Sequence, residues 1–304
     1  MRDTFIKSLT DAAYVDEKTF LIVGDLGYGV VDQFSSQFPE RFLNVGISEQ
    51  NMIGVAAGIA KSGFKVFVYS IANFPTMRCL EQIRNDVCYH NLDVTIVSIG
   101  AGFGYGTLGY SHFAIEDLTV MRSLPNLTVF SPGDPHELQT TVPVILKNSG
   151  PKYLRLGKNG EQNLLGEPSI SPFHARKLKK GFDFALLSTG NIGAEVSEAI
   201  SLLPEELRRR ITHFSISSLT REALESAELS KYKKIMTVEE HILDGGFGSF
   251  VLEFFEISSM SPQVKRVGVE RNKSIPIGNQ GYIRESMSLD KFSLTNSALK
   301  FFQD

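Results

Sequence analysis

The sequence is poor in the features that mark several large classes of protein. It has two cysteines, Cys79 and Cys88, in 304 residues. Two cannot by themselves build a disulfide framework or a four-ligand zinc site, so a reducing, cytoplasmic setting is expected. No apolar run approaches the roughly 18 residues that cross a bilayer, so no membrane partner is expected. Residues 1–11 (MRDTFIKSLTD) hold no apolar core of a signal peptide. Neither sign of charge dominates: 31 Lys and Arg stand against 34 Asp and Glu, net −3. That excludes a strongly basic nucleic-acid binder driven by phosphate neutralisation. What is present is globular material, 42% hydrophobic and 21% charged, with enough apolar surface to offset the entropy of ordering the chain. At roughly 100–200 residues per domain, the length predicts two domains.

Apolar runs of strand length alternate with patterns of helix length. Residues 19–23, 41–45, 65–69, 94–99, 127–130 and 152–156 read as strands. Residues 48–61, 76–89, 115–123 and 135–147 read as helices. In the first of these, Gly54, Ala56, Ala57, Gly58 and Ala60 permit close approach of another backbone. The stretch 157–178, with Gly160, Gly166, Pro168 and Pro172, breaks the rhythm and reads as a linker. A second cycle follows, with strands at 184–188, 211–216, 234–238 and 264–269. Helices are expected at 193–203, 249–257 and toward the C-terminus. The fold class predicted is α/β: two domains, each a mostly parallel sheet flanked by helices. The boundaries are 1–160, a linker at 161–178, and 179–304.

Several segments could carry chemistry. Residues 44–51 (NVGISEQN) lie where a strand gives way to a helix. Ser48 suits an N-cap and Glu49 the first turn, where the helix dipole favours a carboxylate. That is also where ligands bind open α/β sheets, so a desolvated Glu49 could donate or accept a proton. The loop 24–29 (GDLGYG) lacks the full GxGxxG order and a Walker lysine, and reads as structural or as a lip of a site. Glycines at 100, 102, 104, 106 and 109 imply tight turns or close approach to a ligand, and His112 ends that loop. Phe74 follows another strand. It suits a core position, or a ring face offered to a planar heterocycle. Glu239, Glu240 and His241 are too few for a metal site and suit a turn or interface.

Taken together, these segments resemble the transketolase family over nearly the whole chain. The most specific match is 41–52 (RFLNVGISEQNM). Residues 81–84 (EQIR), 123–127 (SLPNL) and 153–157 (YLRLG) match further landmarks, and 237–249 (TVEEHILDGGFGS) resembles the C-terminal domain's signature. The resemblance implies a pyrimidine-binding domain followed by a transketolase C-terminal domain, and thiamine diphosphate as cofactor. In the family the glutamate of the NVGIxEQ run bonds N1′ of the aminopyrimidine and favours its imino tautomer. Glu49 takes that role here, with Phe74 and Ile47 as further cofactor contacts. The reaction implied moves a two-carbon ketol unit from a ketose to an aldehyde. His112 is a catalytic and substrate-binding residue by the same resemblance, and Arg2 and Lys158 are substrate contacts.

Leu26 breaks the GDG run of the family's magnesium motif, and the chain opens directly at the pyrimidine-binding domain. The resemblance therefore implies the C-terminal subunit of a split enzyme. An N-terminal subunit would supply Mg2+ and the diphosphate site, in an α2β2 assembly, and this chain alone would be inert. It also departs from the family. Where members usually read GEDGPTHQ, this chain has residues 106–113 (GTLGYSHF), so Leu108 replaces an aspartate and Phe113 a glutamine. Lys158 stands where an arginine often lies and cannot reproduce its bidentate fork. A lost polar contact changes which hydroxyls the pocket can satisfy. A non-standard substrate, a modified or nucleotide-linked sugar, is the expectation. Enzyme alternatives are 1-deoxyxylulose-5-phosphate synthase-like chemistry and a 2-oxoacid dehydrogenase E1 β-like subunit. A non-catalytic regulatory or scaffold partner is the alternative of another class.

Overall fold

The computed structural model describes residues 1–258 and 261–303. The first sheet contains β1 (Thr19–Val23), β2 (Phe42–Asn44), β3 (Lys65–Ile71), β4 (Val94–Ile99), β5 (Thr128–Phe130) and β6 (Lys152–Leu156). Their order is β2-β1-β3-β4-β6-β5, and every pairing is parallel. A parallel sheet is covered on both faces, which explains why these strands are continuous apolar runs. In β3, Val66 and Val68 join one core while Phe67 and Tyr69 join the other. Helix Glu49–Lys61 packs the first face through Met52, Ile53, Ala56 and Ala60. The second face takes Phe5, Ile6 and Leu9 of helix Arg2–Val15 and Leu138 of helix Pro135–Lys147.

The second sheet contains β7 (Arg176–Lys179), β8 (Phe184–Ser188), β9 (Ile211–Ser215), β10 (Lys234–Ile242) and β11 (Gln263–Val269). Its order is β11-β10-β8-β9-β7, parallel except for the antiparallel edge β7. The two-domain α/β expectation therefore holds. No helix among the described residues is long and apolar enough to cross a membrane.

One predicted element is built differently. Residues 76–89 do not form a single helix. They run as a 3-10 turn at Met77–Cys79, a short α-turn at Leu80–Gln82 and a π-turn at Ile83–Cys88. Local bonds compete with the helical ladder here: Thr76 Oγ1 donates to the Ala72 carbonyl at 3.0 Å and Cys79 Sγ to the Phe74 carbonyl at 3.2 Å. Pro75 also has no N–H to give.

The domains dock through charged groups that are fully buried. Arg155, at the end of β6, donates from Nε to Asp117 Oδ2 at 2.7 Å, and from one terminal nitrogen to the carbonyls of Ala114 and Glu240. Glu240 accepts from the Phe103 N–H at 2.6 Å, from Gln280 Nε2 at 2.8 Å and from Arg284 Nε at 2.7 Å. Gly102 is required beside it. Its φ is +63°, and a Cβ there would run into the Glu240 carboxylate. Glu239 receives the Phe247 and Gly248 N–H groups that open helix Phe247–Ile257, and burial pushes its carboxyl up to about 8. His241 donates from Nδ1 to the Ile242 carbonyl at 2.8 Å and accepts the Leu118 N–H at Nε2, so burial holds it neutral, down at about 4. Glu240 and His241 thus lie at the interface and Glu239 at the turn into helix Phe247–Ile257, in keeping with the turn or interface role their sequence suggested.

Candidate active site

The site grows from the carboxyl ends of β1, β2 and β3, where an open parallel sheet leaves a crevice. After β2 the chain turns at Gly46, whose φ of +73° favours glycine, and enters helix Glu49–Lys61. Ser48 is the N-cap residue, but its hydroxyl donates back to the Val45 carbonyl at 2.8 Å and does not cap an N–H. The loop after β1 is held from the same turn. Asn44 Oδ1 accepts the N–H groups of Asp25 and Gly46, each at 3.0 Å, and Tyr28 donates its hydroxyl to Asp25 at 2.7 Å. The bonds from Tyr28 and from the Asn44 amide hold the Asp25 carboxyl below its usual range. They give the 24–29 loop a structural role.

Glu49 is only 3% exposed, in the first turn of its helix. Its Oε2 accepts from Arg78 at 3.0 Å. The Arg78 guanidinium lies over the face of Phe74, 4.1 Å from the ring centroid. Phe74 meets His112 edge-on at 5.1 Å. Burial, and then the nearby Arg78, hold His112 below the ordinary imidazole value. His112 is 6.5 Å from the Tyr105 ring, and Lys158 Nζ lies 4.8 Å over that same ring. Arg2 also stands near Tyr105; burial raises its phenol and Arg2 opposes the rise. A continuous run of contacts, by way of Arg78 and Tyr105, therefore joins Glu49, Phe74, His112 and Lys158, residues far apart in sequence. Among the described residues, Arg2 stands nearby without a contact of its own to that run. Ile47 is outside it, 79% exposed on the turn before Glu49.

Two members of this run were missed in the sequence. Arg78 sits in the distorted segment after β3, and no local spacing marks it. Tyr105 lies inside the glycine loop, where its aromatic ring among small residues was a usable signal. The two departures from the family pattern also separate here. Phe113 is buried against Phe103, with ring centroids at 5.3 Å, and Asn73 Nδ2 donates to its carbonyl. It is core. Leu108 is 55% exposed on the loop that carries His112. A cavity of about 690 Å3 lies elsewhere, between residues 159–165 and the second domain, lined by Asn159, Asn191, Ser197 and His213 among others.

The carboxylate and ring suit a flat heterocycle with a hydrogen-bonding edge: one flat, hydrogen-bonding group, the guanidinium, already spans both. Comparison with known proteins gives this geometry a family. The model described as "Transketolase, pyrimidine binding domain" matches residues 1–161, and that described as "Transketolase, C-terminal domain" matches 174–285. A subunit of an apulose-4-phosphate transketolase from Actinobacillus succinogenes is 32% identical, over 88% of this chain and 86% of that protein. A 6-deoxy-6-sulfo-D-fructose transketolase subunit of Clostridium sp. is 30% identical, over 98% and 93%. A solved structure described as a split gene transketolase, an inactive β4 tetramer, superposes with a TM-score of 0.86 at 32% identity, over 99% of this chain and 97% of that one. Both domain matches fall in order along one chain, the two relatives named above are of similar length, and the chain belongs to the transketolase family.

Proposed function

We propose that the chain is the C-terminal subunit of a two-subunit, thiamine diphosphate-dependent transketolase of the cytoplasm. The observation that carries this is the run of contacts from the buried Glu49 through Phe74 to His112. When bound, thiamine diphosphate supplies the electron sink for cleaving a ketose carbon–carbon bond. The other roles fall to this chain's own residues. Glu49 bonds the pyrimidine edge and holds a proton at its carboxyl, in a setting closed to water. Phe74 supplies the stacking face. His112 is neutral near pH 7, because burial lowers it, so it can accept a hydroxyl proton of the sugar and return it. Arg2 and Lys158, both near Tyr105, hold the anionic end of the substrate. Mg2+ and the diphosphate belong to the N-terminal partner subunit, in an α2β2 assembly with two copies of this chain. Ile47, exposed beside Glu49, packs on the cofactor once the partner closes the site. The domains run 1–160 and 179–304, joined by 161–178.

The substrate is a modified sugar and not a central pentose phosphate. Leu108 supports this reading, because it offers no acceptor where the family pattern has a carboxylate. So do the two relatives named for apulose 4-phosphate and a sulfofructose. The test is to assemble the chain with its N-terminal subunit and assay ketol transfer over a sugar panel. Transfer from modified ketoses should exceed transfer from xylulose 5-phosphate. Preference for xylulose 5-phosphate with ribose 5-phosphate would overturn the substrate assignment. Consumption of pyruvate with release of carbon dioxide would overturn the transketolase reading. Full turnover with E49Q would leave this chain a scaffold.

A further inference from the structure

The two groups assigned to the pyrimidine are already engaged. A guanidinium is planar, donates in a fixed fork, and stacks on aromatic rings. Arg78 uses all three properties at once: it donates to Glu49 Oε2 at 3.0 Å, and its central carbon lies 4.1 Å from the centroid of Phe74. An aminopyrimidine would need the same two surfaces, the same ring face and the same carboxyl edge. We infer that in the free chain Arg78 holds the place of the cofactor's aminopyrimidine, so that cofactor loading is an exchange in which a planar cation leaves and a planar heterocycle enters.

The hydrogen-bond roles reinforce the steric argument. A guanidinium has only donors, so Glu49 must accept from it. The N1′ nitrogen of a pyrimidine carries no hydrogen, so Glu49 must donate to it. Exchange of the guanidinium for the heterocycle therefore changes the part Glu49 plays in the bond, from acceptor to donor. Arg78 is built to leave. Its side chain is 48% exposed, against 3% for Glu49. Among the described residues its guanidinium makes no other hydrogen bond or ion pair. It rides on the irregular Met77–Cys79 turn and not on a regular helix. Displacement frees a cation at the mouth of the site, within reach of His112, which already feels its charge. Arg78 is then a positioning residue for Glu49.

This inference rests on the assignment of Glu49 and Phe74 to the pyrimidine, and the experiment separates the two. Thiamine diphosphate with Mg2+ is titrated calorimetrically into the complex of the full chain with its N-terminal subunit. The unsubstituted protein is compared with R78M, R78Q, E49Q and F74A. R78M and R78Q remove the competitor and should tighten binding by about tenfold, as expected when a binding-competent state rises from a minor to the dominant population. E49Q and F74A should weaken it. If R78M and R78Q bind equally or more weakly while E49Q and F74A are impaired, the exchange is wrong, and weaker binding makes Arg78 a ligand contact. If E49Q and F74A bind as the unsubstituted protein does, the pyrimidine assignment itself falls, and the exchange falls with it.

Discussion

Two of the arginine–carboxylate pairs in the chain look alike on paper and differ in what they can do. Arg155 and Asp117 are 1% and 0% exposed, and Tyr153 adds its hydroxyl to the same carboxylate oxygen. Arg155 further bonds carbonyls from both domains. Arg78 and Glu49 pair a half-exposed cation with a buried anion, through one bond. Desolvation decides the outcome. Removing either partner of a buried pair strands the other charge where water cannot reach it. In the second pair water can take over only the half-exposed Arg78, while the buried Glu49 needs another partner in its place, which an exchange supplies. The first pair therefore fixes how the domains sit, and the second can exchange its partner.

Substitutions can break this contrast. The largest effect is expected from E49Q. It should lower turnover of the reconstituted enzyme by roughly 10²–10⁴-fold, the range for a lost proton-transfer group. Its thermal midpoint should stay close to that of the unsubstituted chain. A large loss of stability instead would put Glu49 in the same structural class as Asp117 and dissolve the contrast. Next, R155M should destabilise the chain by roughly 3–5 kcal/mol in urea unfolding, since Asp117 is left buried and unpaired. A loss under about 1 kcal/mol would mean that the junction tolerates an apolar replacement.

Acidification probes the junction without a substitution. Burial holds His213 down at about 3 and His241 at about 4, against an ordinary 6.5. Above pH 6.5 both are neutral in folded and unfolded chains alike. As pH falls from 6.5 toward 4, the unfolded chain takes up protons that the folded one refuses, so stability drops by roughly 2–3 kcal/mol per histidine. Thermal scans from pH 7.5 to 4.5 should show the fall, and H241Q should make it shallower. Glu239 runs the other way. Its folded value near 8 lies above the ordinary 4.5, so its contribution is full at low pH and declines as pH rises from 4.5 toward 8. In E239Q, where that opposing contribution is gone, a flat profile between pH 6.5 and 4.5 would contradict neutral burial of the histidines.

G102A should cost about 1–3 kcal/mol, because its backbone is left-handed and a methyl meets Glu240. L108D should have the smallest effect. Stability should stay within about 0.5 kcal/mol, as for an exposed position. Relative turnover should move about tenfold toward unmodified pentose phosphates, and an unchanged sugar preference would remove Leu108 from the specificity argument.

Much of the fold was legible because parallel strands are buried on both faces. Residues 19–23, 94–99 and 152–156 are uninterrupted enough that the apolar run and the strand coincide. β7 was not legible. Its sequence RKLK is charged, and only pairing with β9 makes it a strand. Helix Arg2–Val15 carries a readable apolar stripe at Phe5, Ile6, Leu9 and Ala13, ahead of the strand and helix alternation that begins at residue 19. In the site, Glu49 and His112 stood out through the family pattern, while the place of Phe113, which the pattern marks only as replacing a glutamine, was not legible because a pattern does not show which way a side chain faces. Arg78 was invisible, since its meaning arises only when the turn after β3 folds over the start of another helix.

That turn has a consequence for how the site can vary. The π-turn at Ile83–Cys88 winds more residues per turn than an α-helix does. It therefore holds spare chain length, about one residue or 1.5 Å of helical rise, between Arg78 and the buried Cys88. Lengthening or shortening the segment at that slack would reset the reach of the guanidinium while leaving β3, β4 and both cores in register. The geometry of the mouth can thus be retuned by the winding of one short segment, independently of the sheet that carries it.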